Sequence, residues 1–114
     1  MSTKNDNRAT ATATIILLLI VPMQAQAMDM ESLQLANALG NVLASEEPCG
    51  LRYDQAGIAE FVANKVSAED MGFASSLNIQ TMGAKVMINE MSESQKTAHC
   101  AQTIRVAKTY GFIK

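Results

Sequence analysis

Cys49, His99 and Cys100 carry the most versatile chemistry in this chain, and their spacing decides what that chemistry is fit for. A thiol beside an imidazole suggests a nucleophile, which needs an exposed thiolate and a base able to take its proton. His99 is the single histidine, and it adjoins Cys100. Neighbours on a helix point about 100° apart, so the two are poorly placed to face one another. A redox role would favour two cysteines separated by two residues, close enough for rapid local exchange. Here about 50 residues separate them, which suits a structural staple better.

Adjacent carboxylates at Glu46 and Glu47, and at Glu69 and Asp70, have the residue types for paired acid and base work. In a loop and in a first helical turn, solvation and the helix dipole account for them more simply. The methionines Met71 and Met82, and Met87 and Met91 one turn apart, fit an adaptable apolar surface, a thioether site for Cu(I), or the filling of a core, and core filling is expected. There is no second histidine, Gly-rich phosphate loop, Gly-x-Ser-x-Gly elbow or His-Glu-x-x-His motif. The expectation is therefore a protein that is not an enzyme, with no catalytic, cofactor-binding or metal-ligating residue.

The compartment is written at the N-terminus. Lys4 and Arg8 precede an unbroken apolar run over 15–21, Pro22 ends it, and Ala25-Gln26-Ala27 is the small-x-small pattern that signal peptidase accepts. The reading is a signal peptide over 1–27 and a single mature domain over 28–114. A membrane anchor needs about 20 apolar residues, more than the Ala- and Thr-rich stretch over 9–23 supplies, so no stable anchor is expected after cleavage. In a small exported domain an even pair of cysteines points to a disulfide, and Cys49 and Cys100 are expected to form it, within one chain or between two. From Met28 onward ten acids face seven scattered bases, a net charge near −3 that disfavours nucleic acid as a partner.

Helices are expected to position these residues. Leu33, Ala36, Leu39 and Leu43 form one apolar stripe of a first helix over 30–44. Ser45-Glu46-Glu47-Pro48-Cys49-Gly50 reads as a loop presenting Cys49. Asp54 caps a second helix with Ile58, Phe61, Val62 and Val66 on its face. Ser67-Ala68-Glu69-Asp70 resembles a capping box opening a third helix, in which Met71, Ala74, Leu77, Thr81 or Met82, and Lys85 or Val86 recur at helical spacing and Gly83 marks a kink or break. Ser92-Glu93-Ser94-Gln95 is a fuller capping box for a fourth helix, with Cys100, Ile104 and Ala107 on one stripe, a stop at Gly111, and Phe112 folding back. The expected fold is all-α, a bundle of about four helices with one disulfide. Its core is expected over 49–114, with the first helix docking last and loosely.

Cys49-Gly50-Leu51, Asp70-Met71, Phe73, Leu77, Met91-Ser92, Lys96-Thr97-Ala98-His99-Cys100 and the run from Arg105 to Phe112 resemble a group of small exported proteins of alphaproteobacteria to which no activity is assigned. The likeness spans about two-thirds of the mature chain and implies a periplasmic location. In architecture alone, the chain is also similar to the acid-stress chaperones of the enterobacterial periplasm, which are short, exported and helical with one disulfide. Three roles follow as expectations: a noncatalytic periplasmic or secreted interaction module holding a protein partner, an acid-stress chaperone whose carboxylates lose charge below about pH 4, and an inhibitor or immunity protein. The first predicts an exposed apolar patch larger than a few hundred Å² on the folded monomer or dimer.

Overall fold

The computed structural model describes residues 24–114, with side chains from Met30 onward. Four helices follow one another: α1 (Gln24–Ala44), α2 (Gln55–Lys65), α3 (Phe73–Asn89) and α4 (Glu93–Tyr110). No strand occurs among the described residues. The expected leader lies outside them as far as residue 23, and residues 24–27 belong to the start of α1.

Local chemistry sets most of the helix ends. The Asp54 carboxylate accepts from the Ala56 N–H at 3.1 Å and starts α2. At the start of α4 both halves of the capping box close: Gln95 N–H donates to Ser92 Oγ at 3.2 Å, and Ser92 N–H donates to Gln95 Oε1 at 2.9 Å. Gly111 takes the left-handed conformation, φ 85°, that a side chain would resist. The chain then reverses, with Phe112 N–H donating to the Ala107 carbonyl at 2.9 Å and Gly111 N–H to the Lys108 carbonyl at 3.0 Å. This reversal drives Phe112 into the interior, where it is fully buried.

The start of α3 differs from expectation. Ser67 does not open a helix: its hydroxyl donates to the Glu69 carboxylate at 2.7 Å and accepts from the Glu69 N–H at 3.3 Å, closing a local turn. The Asp70 carboxylate, expected to complete the box, instead accepts from the Ser32 hydroxyl on α1 at 2.6 Å. The helix begins only at Phe73, after Gly72, which supplies no side-chain cap. It then runs unbroken through Gly83, so there is no break there.

The largest correction concerns α1, which is the centre of the fold. Ala36, Leu39, Val42 and Ala44 are all buried, and the main core joins three of them to Tyr53, Phe61, Phe73, Ala107 and Phe112. A smaller cluster of Ala44, Ala84 and Ile88, with Met91 against it, closes the other end of the α1–α3 contact. Along the chain Ser32 meets Asp70, Gly40 meets Gln80 and Thr81, and Ala44 meets Ala84, so α1 and α3 run in the same direction. The approach is closest at Gly40, where a Cβ would lie 3.0 Å from the Gln80 Cβ and 3.0 Å from the Thr81 nitrogen. A helix at such contact distance has no loose register.

Four of the five aromatic rings meet where the C-terminal reversal reaches the core. Phe61 stacks on Tyr110 with centroids 4.4 Å apart, and Phe112 sits edge-on to both at 5.5 Å and tilted to Tyr53 at 5.6 Å. Such pairs add about 0.5–1.5 kcal/mol each beyond the area they bury. Asp54 N–H donates to the Phe112 carbonyl at 2.8 Å, fastening the chain terminus to the start of α2.

Candidate docking face

The turn after α1 holds the residues whose chemistry was weighed first. Cys49 and Cys100 are bonded within the chain, with Cα atoms 5.4 Å apart, joining that turn to α4. His99 Nε2 lies 2.7 Å from the Ser45 hydroxyl and 3.4 Å from the Thr103 hydroxyl. Ser45 is fully buried, and its hydroxyl donates to the Asn41 carbonyl at 2.6 Å. With its one proton committed there, Ser45 receives the imidazole N–H rather than surrendering a proton to the ring. A serine so placed is not activated and has no route to a substrate; the pair is a polar clasp beside the disulfide.

The adjacent acids are also drawn into separate duties. Glu46 accepts from the Tyr53 N–H at 2.7 Å, whereas Glu47 is exposed. Tyr53 donates its hydroxyl to the Val42 carbonyl at 2.7 Å, and burial, then the nearby Glu46 charge, push its phenol up to about 12. The Ser67 hydroxyl holds the Glu69 carboxyl below its ordinary range, while Asp70 takes the bond from Ser32. In a cleft between α1 and the turn before α3, lined by Glu31, Ser32, Lys65, Glu69, Asp70 and Met71, two of the three carboxylates, Glu69 and Asp70, already have hydroxyl partners. Among the described residues no group of three or more His, Cys, Asp or Glu side chains is placed to hold a metal ion.

The feature without a structural duty is the outer side of α3. Its inner side is Phe73, Leu77, Ala84 and Ile88, packed on the core. Of the residues expected at helical spacing, Leu77 packs on the core, whereas Met71, Ala74, Met82, Lys85 and Val86 are exposed, and Met71, in the turn before the helix, is 87% exposed. Ile79, Met82, Val86 and Met87 are between 58% and 65% exposed. At 100° per residue, Ile79, Met82 and Val86 form a stripe on the side of α3 away from α1. The expectation of methionines as core filling is therefore corrected: of these four, only Met91 packs against a core cluster.

The three side chains of the stripe, each more than half exposed, offer roughly 100 Å² each, a patch of about 300 Å². A contiguous apolar patch of a few hundred Å² is the size of the largest patch on an ordinary monomer, and such patches are often functional. The stripe is also uncharged, since Lys85 is the only charged residue within α3. What the face can do is hold another apolar surface, with methionine side chains able to adapt to its shape. Among the described residues no helix is long and apolar enough to cross a membrane. No protein-family model, curated protein or solved structure matches this chain.

Proposed function

We propose that this chain is the precursor of an exported periplasmic protein, a noncatalytic interaction module that holds a protein partner on the outer face of α3. One observation carries the reading: Ile79, Met82 and Val86 stand exposed on a helix whose opposite side already supplies the core. Apolar burial at a rate of about 25 cal/mol per Å² gives such a face a reason to be covered. The intrachain disulfide and the amino-terminal export pattern support the oxidising compartment. Intact mass of protein from the periplasm should start at Met28 and show no alkylatable thiol. A photo-crosslinker at Val86 should give a defined adduct in cells, while one at the exposed Glu60 of α2 should not; equal adducts at both positions would remove the docking reading.

A second reading, an acid-stress chaperone, draws on the carboxylates that fasten separate segments: Glu46 to the Tyr53 amide, Asp70 to Ser32, and Asp54 to the start of α2. The intrachain disulfide would limit how far the chain opens. It requires suppression of client aggregation near pH 3, lost on reduction; inertness at both pH 3 and pH 7 removes it.

A further inference from the structure

We propose that the partner held by α3 is a second copy of this chain, packed antiparallel through its own α3 across a two-fold axis beside Met82 and Gly83. This rests on the reading of the α3 outer side as a docking face and names its occupant. The first support is the pattern itself. Ser75, Ile79, Met82, Gly83, Val86 and Glu90 share one side of the helix, and the first five are uncharged. Ile79 and Val86 lie equally far from the midpoint between Met82 and Gly83, and so do Ser75 and Glu90. A two-fold axis there sets Ile79 of one copy opposite Val86 of the other. It also sets the Ser75 hydroxyl, a donor, opposite the Glu90 carboxylate, an acceptor. In such an isologous contact residue i meets j and j meets i, and here the pairs so formed are apolar on apolar and donor on acceptor.

Charge favours the same occupant. A foreign partner is steered and selected mainly by complementary charge, and the seam carries none between Ser75 and Val86. Two copies that are each net acidic would repel if their charged surfaces met, so the uncharged side of α3 is where they can approach. Gly83 supplies the closeness. A Cβ built on it meets nothing within 4 Å, so the core does not require glycine there. Glycine is nonetheless among the poorest residues for a helix interior, and on the outer side it lets a second backbone come near.

The area sets the strength. With the polar rim, each copy brings roughly 600 Å², below the ordinary 800 Å² per partner, which places the dimer among weak, concentration-dependent associations.

The test is sedimentation of the disulfide-bonded chain beginning at Met28, from low micromolar to near-millimolar concentration. The parent should move from one mass toward two. Val86→Glu should weaken association by about tenfold or more, because each new carboxylate is then pressed against the apolar Ile79 of the other copy. Gly83→Gln should weaken it similarly while leaving the monomer folded, since the added side chain meets open space. Peroxide oxidation supplies a readout of the face: as concentration rises, Met82 should become protected severalfold while Met71 keeps its rate. A dimer that neither substitution weakens lies elsewhere and overturns the proposal. A monomer at every concentration also overturns it, and a neutral amphipathic helical peptide then separates the two readings. Peptide binding that Val86→Glu abolishes leaves the docking face standing with another occupant, and no binding removes both.

Discussion

Tyr53→Phe should weaken the protein at neutral pH and make it the more stable of the two in strong alkali. At neutral pH the substitution deletes the hydroxyl that donates to the Val42 carbonyl at 2.7 Å in a buried setting. A hydrogen bond of this kind contributes about 1 kcal/mol net. The alkaline effect has the opposite sign. Burial, with the Glu46 charge second, raises the Tyr53 phenol from 10.0 to about 12 in the folded protein. Because the folded value lies above the unfolded one, the unfolded chain loses its proton first. The associated stability is complete below pH 10 and is lost as pH rises through 12, by up to about 1.4 kcal/mol per pH unit. At pH 11 the parent has lost roughly 1.4 kcal/mol through Tyr53 alone, which cancels the neutral-pH advantage of the hydroxyl. Urea unfolding followed by circular dichroism, at several pH values from 7 to 11, reads the difference directly. Groups common to both proteins drop out of it. The two stability curves should converge and cross near pH 11. Curves that stay parallel from pH 7 to pH 11 would refute the claim that the buried phenol is held neutral. Glu46→Gln should narrow the gap by removing the smaller of the two causes.

Reducing Cys49–Cys100, which closes a loop of 51 residues, should lower stability by about 4 kcal/mol; a melting temperature unmoved by reductant would contradict this. The same substitution at two helical glycines should act with opposite signs. Gly40→Ala forces a Cβ against the α3 backbone and should cost about 1–3 kcal/mol, while Gly83→Ala, facing open space, should gain up to about 1 kcal/mol. Denaturant midpoints shifted in the same direction would show that the α1–α3 contact is not as close as described. Phe112→Ala should lose about 3–5 kcal/mol by emptying the centre of the aromatic cluster, with loss of near-ultraviolet dichroism as its signature. Ser45→Ala should cost about 1–2 kcal/mol and speed solvent exchange of the His99 ring N–H, since only the longer contact to Thr103 remains; an unchanged exchange rate would dissolve the clasp.

Much of the helical layout was legible in the amino-acid sequence because it is governed by groups a few residues apart. Asp54 reaches the second amide beyond it, Ser92 and Gln95 satisfy one another across three positions, and Gly111 relieves a local backbone constraint whatever surrounds it. The disulfide followed from cysteine number and the expected compartment, without any knowledge of the path between the two residues. At Ser67 the same local logic misled, because the Asp70 carboxylate was taken by Ser32 from 38 residues away.

The candidate site belongs to the other kind of information. Both sides of α3 are apolar, so periodicity alone is ambiguous: of the residues it set at helical spacing, Leu77 packs on the core while Met82 and Val86 stand in solvent. What decides the buried side is α1, brought against Gln80 and Thr81 by a glycine 40 positions earlier, a contact between segments that no local pattern encodes. The partner of His99, a serine 54 residues away, was hidden for the same reason. By itself the sequence determined the helices, their caps and the cysteine pair, because short-range hydrogen bonds and backbone sterics act within one turn. Only the tertiary structure decided that α1 is the core and that the far side of α3 is free, because burial depends on which surfaces meet.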